Sequence, residues 1–315
     1  VSALPSHRPL DAPGAQGGPG QPPAPPGTPA PIRRVGIVGC GTMGAAVAEL
    51  CALAGLDVRV VVSPRDVSAA AGRRRITDSL DRGVQKGRLT TADRDAALAA
   101  IELTTRLDDL ADRQLVIEAI HEDEGAKVDL LSALDRIVED PDAILASNTS
   151  SIPIVRLGRC TRRARNVIGL HFFNPVSVLP LVEVVSSVLT SEDVRDRAEH
   201  FVATVLGKEP IHSPDRAGFL VNALLIPYLL AAIRMVESGL ATPAVIDQGM
   251  TSGCSHPMGP LRLADLIGLD VTAAIADALY DEFKEPLYAP PPLLQRMVEG
   301  GLLGRKRGRG FYVYS

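Results

Sequence analysis

Two side chains twelve residues apart, His171 and Glu183, have the types and the setting for proton transfer. They lie in two short apolar runs, 167–172 and 181–185, separated by a connector that carries Pro175 and Pro180. Proline has no N–H to give to a ladder, so it belongs between strands rather than inside them. Antiparallel pairing about a midpoint near Ser177 sets His171 opposite Glu183. Directly opposed residues hold their Cβ atoms roughly 4.5–5.5 Å apart, within reach of a carboxylate–imidazole hydrogen bond. A carboxylate on one ring nitrogen holds the tautomer, stabilises the imidazolium and leaves the other nitrogen to a substrate. The same pairing also describes an ordinary buried hairpin whose histidine is merely satisfied, so the remainder of the chain must decide.

A second kind of chemistry is offered by residues 34–50. An apolar strand (35–38) runs into Gly39-x-Gly41-x-x-Gly44, and a helix-favouring stretch, 45–54, follows. Gly39 permits a tight turn, Gly41 lets the backbone approach a pyrophosphate, and Gly44 lets helix and strand pack closely. Free N–H groups and the positive end of the helix dipole suit the phosphates. A second strand at 58–62 completes a βαβ unit, which makes a dinucleotide site the expectation. A fold selective for NAD places Asp or Glu at the end of that second strand, about 20 residues on, to bond the adenine ribose. Here the position is Val62, followed by Ser63-Pro64-Arg65. Valine accepts no hydrogen bond. Arg65, folded back, would pair with a 2′-phosphate; as a solvated loop cation it would do nothing. The expected cofactor is therefore NAD or NADP, with the choice open.

Three further polar groupings stand at informative places. Arg75, Arg82 and Lys86 are seven and four residues apart in an expected helix, 66–86, and so share a stripe. Such a stripe either holds the phosphates of an anionic ligand such as coenzyme A or is a solvated face paired with Asp78 and Asp81. An expected strand at 115–117 opens into Glu118-Ala-Ile-His-Glu122, and another at 143–146 ends in Ser147-Asn-Thr-Ser-Ser151. In doubly wound sheets ligands bind beyond the carboxyl ends of strands. That position makes Ser147 a candidate for bonding a substrate oxygen, unless the run only caps the next element. Asn222 sits in a segment, 218–236, that is apolar almost all round, where a buried amide needs a partner.

The elements that position these groups follow from composition. The 315 residues are 46% hydrophobic, enough for two domains with proper cores. The first 31 residues hold ten of the 25 prolines and no apolar run, so they read as a disordered Pro/Gly-rich leader without the apolar region of a signal peptide. Residues 32–213 read as a dinucleotide-binding, Rossmann-type, doubly wound α/β domain. Residues 214–315 read as an all-helical C-terminal domain, with helices expected at 243–250, 261–283 and 291–299. The segment 218–236 is too short and too interrupted, by Asn222, Pro227 and Arg234, to span a membrane. A net charge of -4 argues against nucleic acid as the main partner. Four cysteines without metal spacing argue for a reducing, cytoplasmic setting and no metal.

Taken in order, Gly39-x-Gly-x-x-Gly44, Ser147-Asn-Thr-Ser-Ser151, His171-Phe-Phe-Asn-Pro175 with Glu183, Gly218-Phe-x-x-Asn222, Ser255-His-Pro-Met-Gly-Pro260 with Asp265-Leu-Ile-Gly-Leu-Asp270, and a Gly-Arg-Gly-Phe-Tyr ending resemble the 3-hydroxyacyl-CoA dehydrogenases, especially their 3-hydroxybutyryl-CoA branch. The resemblance runs from about residue 33 to 314. It implies an acyl-CoA substrate, a homodimer formed through the C-terminal helices, and a cleft between the two domains. It assigns His171 as general acid/base, Glu183 as its carboxylate, and Ser147 and Asn222 to the reacting oxygen and acyl carbonyl. It gives Arg82 and Lys86 to coenzyme A and Asn174 to the substrate. Glu118 and Glu122 go to the nicotinamide end, and Thr42, Met43, Ser63, Arg65 and Asn148 complete the cofactor set beside the glycines. Two departures remain: Val62 replaces the ribose-binding acid, and Ala223 stands where many relatives have Arg. A dehydrogenase of another 3-hydroxy acid, free or carrier-bound, would use the same groups. A nucleotide-binding protein without turnover would have no need of them.

Overall fold

The structure is a computed structural model that describes residues 31–63 and 68–314. The leader expected at 1–31 lies outside the described residues except for Pro31, and so does Arg65. In chain order the elements are β1 (Arg34–Val38), α1 (Thr42–Leu53), β2 (Asp57–Val61), α2 (Ser68–Gln85), α3 (Thr91–Ala99), β3 (Ile101–Thr104), β4 (Leu115–Glu118), α4 (Glu124–Ile137), β5 (Ile144–Ser147), α5 (Ile154–Gly158), β6 (Val167–Phe172), β7 (Leu181–Ser186), α6 (Glu192–His200) and β8 (Glu209–Pro214). Five helices follow: α7 (Val221–Glu237), α8 (Pro243–Cys254), α9 (Pro260–Ile267), α10 (Leu269–Phe283) and α11 (Pro292–Glu299).

The strands form one sheet in the order β3-β2-β1-β4-β5-β6-β7-β8. From β3 to β6 every neighbouring pair is parallel, so their carboxyl ends share one edge of the sheet. β4, β5 and β6 are buried at every position, as expected of central strands covered on both faces. β7 turns back antiparallel on β6 with His171 opposite Glu183, and β8 runs parallel to β7. The sheet ends at β8, where Pro210 and Pro214 occur in an edge strand that can tolerate them.

Two hydrophobic clusters flank the sheet, and a third, from Ala217 to Met297, fills the helical part. Phe219 belongs to a sheet-side cluster although it directly precedes α7, so the start of that helix is anchored on the sheet. Three expectations need correction. β3 has no counterpart in the sequence reading. The helix expected at 261–283 is broken at Gly268, whose φ of 107° no side-chain-bearing residue adopts readily, into α9 and α10. Residues 191–206, whose sequence reads as one continuous helix, leave α-geometry after His200, and Phe201–Val205 continues as a wider π-turn. Among the described residues no helix is long and apolar enough to cross a membrane.

Candidate active site

His171 and Glu183 touch as their register requires: His171 Nδ1 lies 2.6 Å from Glu183 Oε2. Glu183 is fully buried, where a lone carboxylate would be strongly disfavoured. Its second oxygen accepts the backbone N–H groups of Leu220 and Val221, each at 2.9 Å, at the start of α7. The positive end of that helix dipole therefore faces the carboxylate, which offsets part of the desolvation cost. Glu183 thus holds the imidazole and joins the helical part to the sheet. The rings of Phe173 and Phe219 pack edge-on against His171 at 4.6 and 5.5 Å. The other ring nitrogen, Nε2, is not taken by Glu183.

What stands at Nε2 is Ser150, whose Oγ lies 3.2 Å away. This corrects the choice of Ser147. Ser147 is the last residue of β5, is fully buried, and its hydroxyl donates to Glu118 at 2.5 Å. Residues 147–151 alternate in a loop whose facing is set from outside it, by Glu122. Glu122 Oε1 accepts from Thr149 Oγ1 at 2.5 Å, from the backbone N–H groups of Ser150 and Ser151 at 2.9 and 3.1 Å, and from Ser151 Oγ at 3.1 Å. Burial alone would raise the Glu122 carboxyl, but Lys127, the Thr149 hydroxyl and the Ser150 N–H together hold it below the usual carboxylate range.

Behind this clamp Lys127, itself buried, pairs with both Glu118 and Glu122 at 2.8 and 3.1 Å. Both Glu118 oxygens are engaged, by Lys127, Ser147 and the N–H of Ile120. Glu118 is therefore enclosed behind the loop, whereas Glu122 faces the loop and keeps its side chain partly exposed. Sequence reasoning passed over Lys127, although a lysine on the buried face of α4 is a signal in itself. Asn148 ties the loop to β6, its Oδ1 accepting from the Phe172 N–H at 2.9 Å. Asn222, in the first turn of α7, is buried, and its amide has no hydrogen-bond partner among the described residues. It is thus available to a ligand.

At the same sheet edge a cavity of about 530 Å³ opens over the glycine turn, between the ends of β1, β2 and β4. Gly39 has φ 101°, and a Cβ there would meet the Ala119 carbonyl oxygen at 2.5 Å. A Cβ at Gly44 would meet the Gly39 oxygen at 2.0 Å, so helix and turn approach as closely as the glycines allow. At Gly41 a Cβ would meet nothing. The space is open above the start of α1, whose first N–H groups receive no side-chain cap. These residues fit a dinucleotide pyrophosphate. Val62 and Ser63 line the cavity as expected, whereas Thr42 lines a neighbouring one and Met43 packs against the sheet core.

The neighbouring cavity, about 460 Å³, lies between α1, α2 and the connector of the β6–β7 hairpin. Arg75, Arg82, Lys86, Arg88 and Asn174 line it. Asp81, one candidate partner for the stripe, pairs instead with Arg94 at 2.9 Å. Arg82 and Lys86 have no ion pair among the described residues. Glu49 forms part of the floor; burial pushes its carboxyl up, against the pull of Ser79, Arg82 and Arg88. Lys208 donates to the carbonyls of Val176 and Leu179 at 2.6 and 2.9 Å and so pins the hairpin connector.

A dinucleotide cradle on a parallel sheet, with a carboxylate-tethered histidine at the same edge, defines a nicotinamide-dependent dehydrogenase. Residues 34–216 match the family model described as 3-hydroxyacyl-CoA dehydrogenase, NAD binding domain, and residues 218–314 match 3-hydroxyacyl-CoA dehydrogenase, C-terminal domain. The chain belongs to the 3-hydroxyacyl-CoA dehydrogenase family. It is 56% identical over 283 residues to the 3-hydroxybutyryl-CoA dehydrogenase of Mycobacterium tuberculosis, covering 90% of this chain and 99% of the relative. It is 44% identical to a probable 3-hydroxybutyryl-CoA dehydrogenase of Deinococcus radiodurans, covering 89% and 100%. The crystal structure of M. tuberculosis FadB2 superposes with a TM-score of 0.89 at 56% identity, covering 91% of this chain and 100% of that one. The crystal structure of (S)-3-hydroxybutyryl-CoA dehydrogenase PaaH1 from Ralstonia eutropha gives 0.84 at 47%, covering 90% and 99%. An N-terminal NAD-binding Rossmann-like domain followed by an all-helical C-terminal domain is the architecture of the family models and of this chain.

Proposed function

We propose that the protein interconverts short-chain (S)-3-hydroxyacyl-CoA, of the 3-hydroxybutyryl type, and 3-oxoacyl-CoA. The observation that carries this reading is the relay Ser150–His171–Glu183–α7, whose open imidazole nitrogen has a hydroxyl beside it. Bound nicotinamide supplies the hydride acceptor or donor. The chain supplies the proton chemistry. In oxidation His171 takes the proton of the 3-hydroxyl; in reduction it returns one to the forming alkoxide, and Glu183 stabilises the imidazolium in between. Ser150 and Asn222 hold the reacting oxygen and the acyl carbonyl. Asn174 lines the basic cavity, where Arg82, Lys86 and Arg88 take the coenzyme A phosphates, and Asn148 belongs to the cofactor side. NAD is the expected cofactor, and Val62 leaves NADP admissible. The division falls near residues 213 and 214, the protein is cytoplasmic, and two copies associate through the C-terminal helices.

The test is nicotinamide absorbance with acetoacetyl-CoA, repeated with free acetoacetate. Turnover of the thioester with little of the free acid is expected. Equal rates on both would remove the coenzyme A reading, and no turnover of either would remove the dehydrogenase reading.

A further inference from the structure

The geometry points to Arg75 as the residue that reads the 2′-phosphate of NADP. The inference deepens the cofactor reading above and rests on it for the ligand class. In this fold the adenine ribose lies beyond the end of the second strand. There the cavity wall is Val61, Val62 and Ser63, and no carboxylate lines the cavity among the described residues. Valine removes the acceptor that would favour a free 2′-hydroxyl, and with it the charge that would repel a phosphate.

Among the described residues the wall holds one guanidinium, that of Arg75. Its place is set by close packing. A Cβ on Gly72 would meet Cys40 Sγ at 2.6 Å, so α2 can lie against the glycine turn only because residue 72 has no side chain. Arg75 stands three residues further on the same face, where its Nη1 donates to the Cys40 carbonyl at 3.1 Å. That bond orients the planar fork, and its other donors have no partner among the described residues. Arg75 is exposed and has no carboxylate partner among the described residues. An oriented, unpaired guanidinium is the side chain best matched to a phosphate dianion, which it bonds through two parallel N–H groups.

Arg75 also lines the basic cavity, so the competing assignment is to the coenzyme A phosphates. Fluorescence titration of NADH and NADPH with Arg75→Gln and Arg75→Lys separates the two, and it requires no turnover. The wild-type protein is expected to bind NADPH within about tenfold of NADH. Arg75→Gln is expected to weaken NADPH roughly 10- to 100-fold more than NADH, the value of a hydrogen bond to a charged group. Arg75→Lys, which keeps the charge but not the fork, should fall between. A parallel loss for both nucleotides would reassign Arg75 to the pyrophosphate. A loss confined to the Kd for acetoacetyl-CoA, titrated in the same way, would reassign it to the substrate. Wild-type NADPH binding a hundredfold weaker than NADH would overturn the inference outright. Since these are binding measurements, absence of turnover in the assay above would sink the dehydrogenase reading and leave this result intact.

Discussion

At the scale of single residues the decisive feature is that Glu183 takes one nitrogen of His171 and leaves the other, Nε2, beside the Ser150 hydroxyl at 3.2 Å. Replacing His171 by Gln should lower turnover by about 10²–10⁴-fold, the usual contribution of a positioned acid/base group. NADH affinity should be nearly unchanged, because the glycine turn lies on another strand. A rate equal to wild type would clear His171 of the role. Glu183→Gln removes a charge that faces both an imidazole and a helix N-terminus, so turnover and thermal stability should fall together. The stability loss is expected on the order of 1–3 kcal/mol, as for a hydrogen bond to a buried charged group. The two serines give a sharper contrast. Ser150→Ala should reduce kcat roughly 10-fold or more, the scale of one charge-assisted hydrogen bond, with the fold intact. Ser147→Ala, which takes one of its donors from buried Glu118, should show mainly as a lower melting temperature. The reverse pattern would return Ser147 to the site.

The loop that carries Ser150 has no regular structure of its own and depends on Glu122, in the connector between β4 and α4, for its shape. The Glu122 carboxyl sits below its ordinary value, because Lys127 and the loop donors outweigh its burial. An acid depressed in the folded state contributes stability that is complete above its unfolded value and is lost as pH falls through the folded value. Glu122→Gln should therefore melt below wild type at neutral pH, and the gap should narrow as the pH falls through the carboxylate range. Constant separation down the acid limb would show that the charge is not what holds the loop. Here lies the boundary of what was legible beforehand. The hairpin and the glycine turn could be read because their patterns are local: short apolar runs, prolines at a connector, glycines at fixed offsets. The face on which Ser147 or Ser150 would lie could not be read, because a carboxylate 28 residues away decides it. β3 is only four residues long, and Gly268 interrupts a helix whose apolar period continues across it. Arg75 was visible only as one cation in a stripe, since its place beside Cys40 depends on Gly72.

At the scale of the whole molecule, α7 has a buried face in the helical core and, on the other side, leucines that nothing among the described residues covers. Leu220 and Leu224, four residues apart and so on one stripe, are 48% and 74% exposed, and Leu240 and Val245 beyond the helix are also exposed. Burying such a leucine is worth about 1.5–3 kcal/mol, so a self-complementary pairing of this face would gain from each side chain twice, once per copy. The same helix delivers the N–H groups that hold Glu183, which places any subunit contact through it one turn from the proton-transfer pair. Light scattering at micromolar concentration should give twice the chain mass for wild type and the single-chain mass for Leu224→Glu. A monomeric wild type, or a variant that remains paired, would rule this face out. If the pairing also steadies the start of α7, dilution of wild type below its dissociation constant should lower the specific rate, and Leu224→Glu should show that lower rate at every concentration.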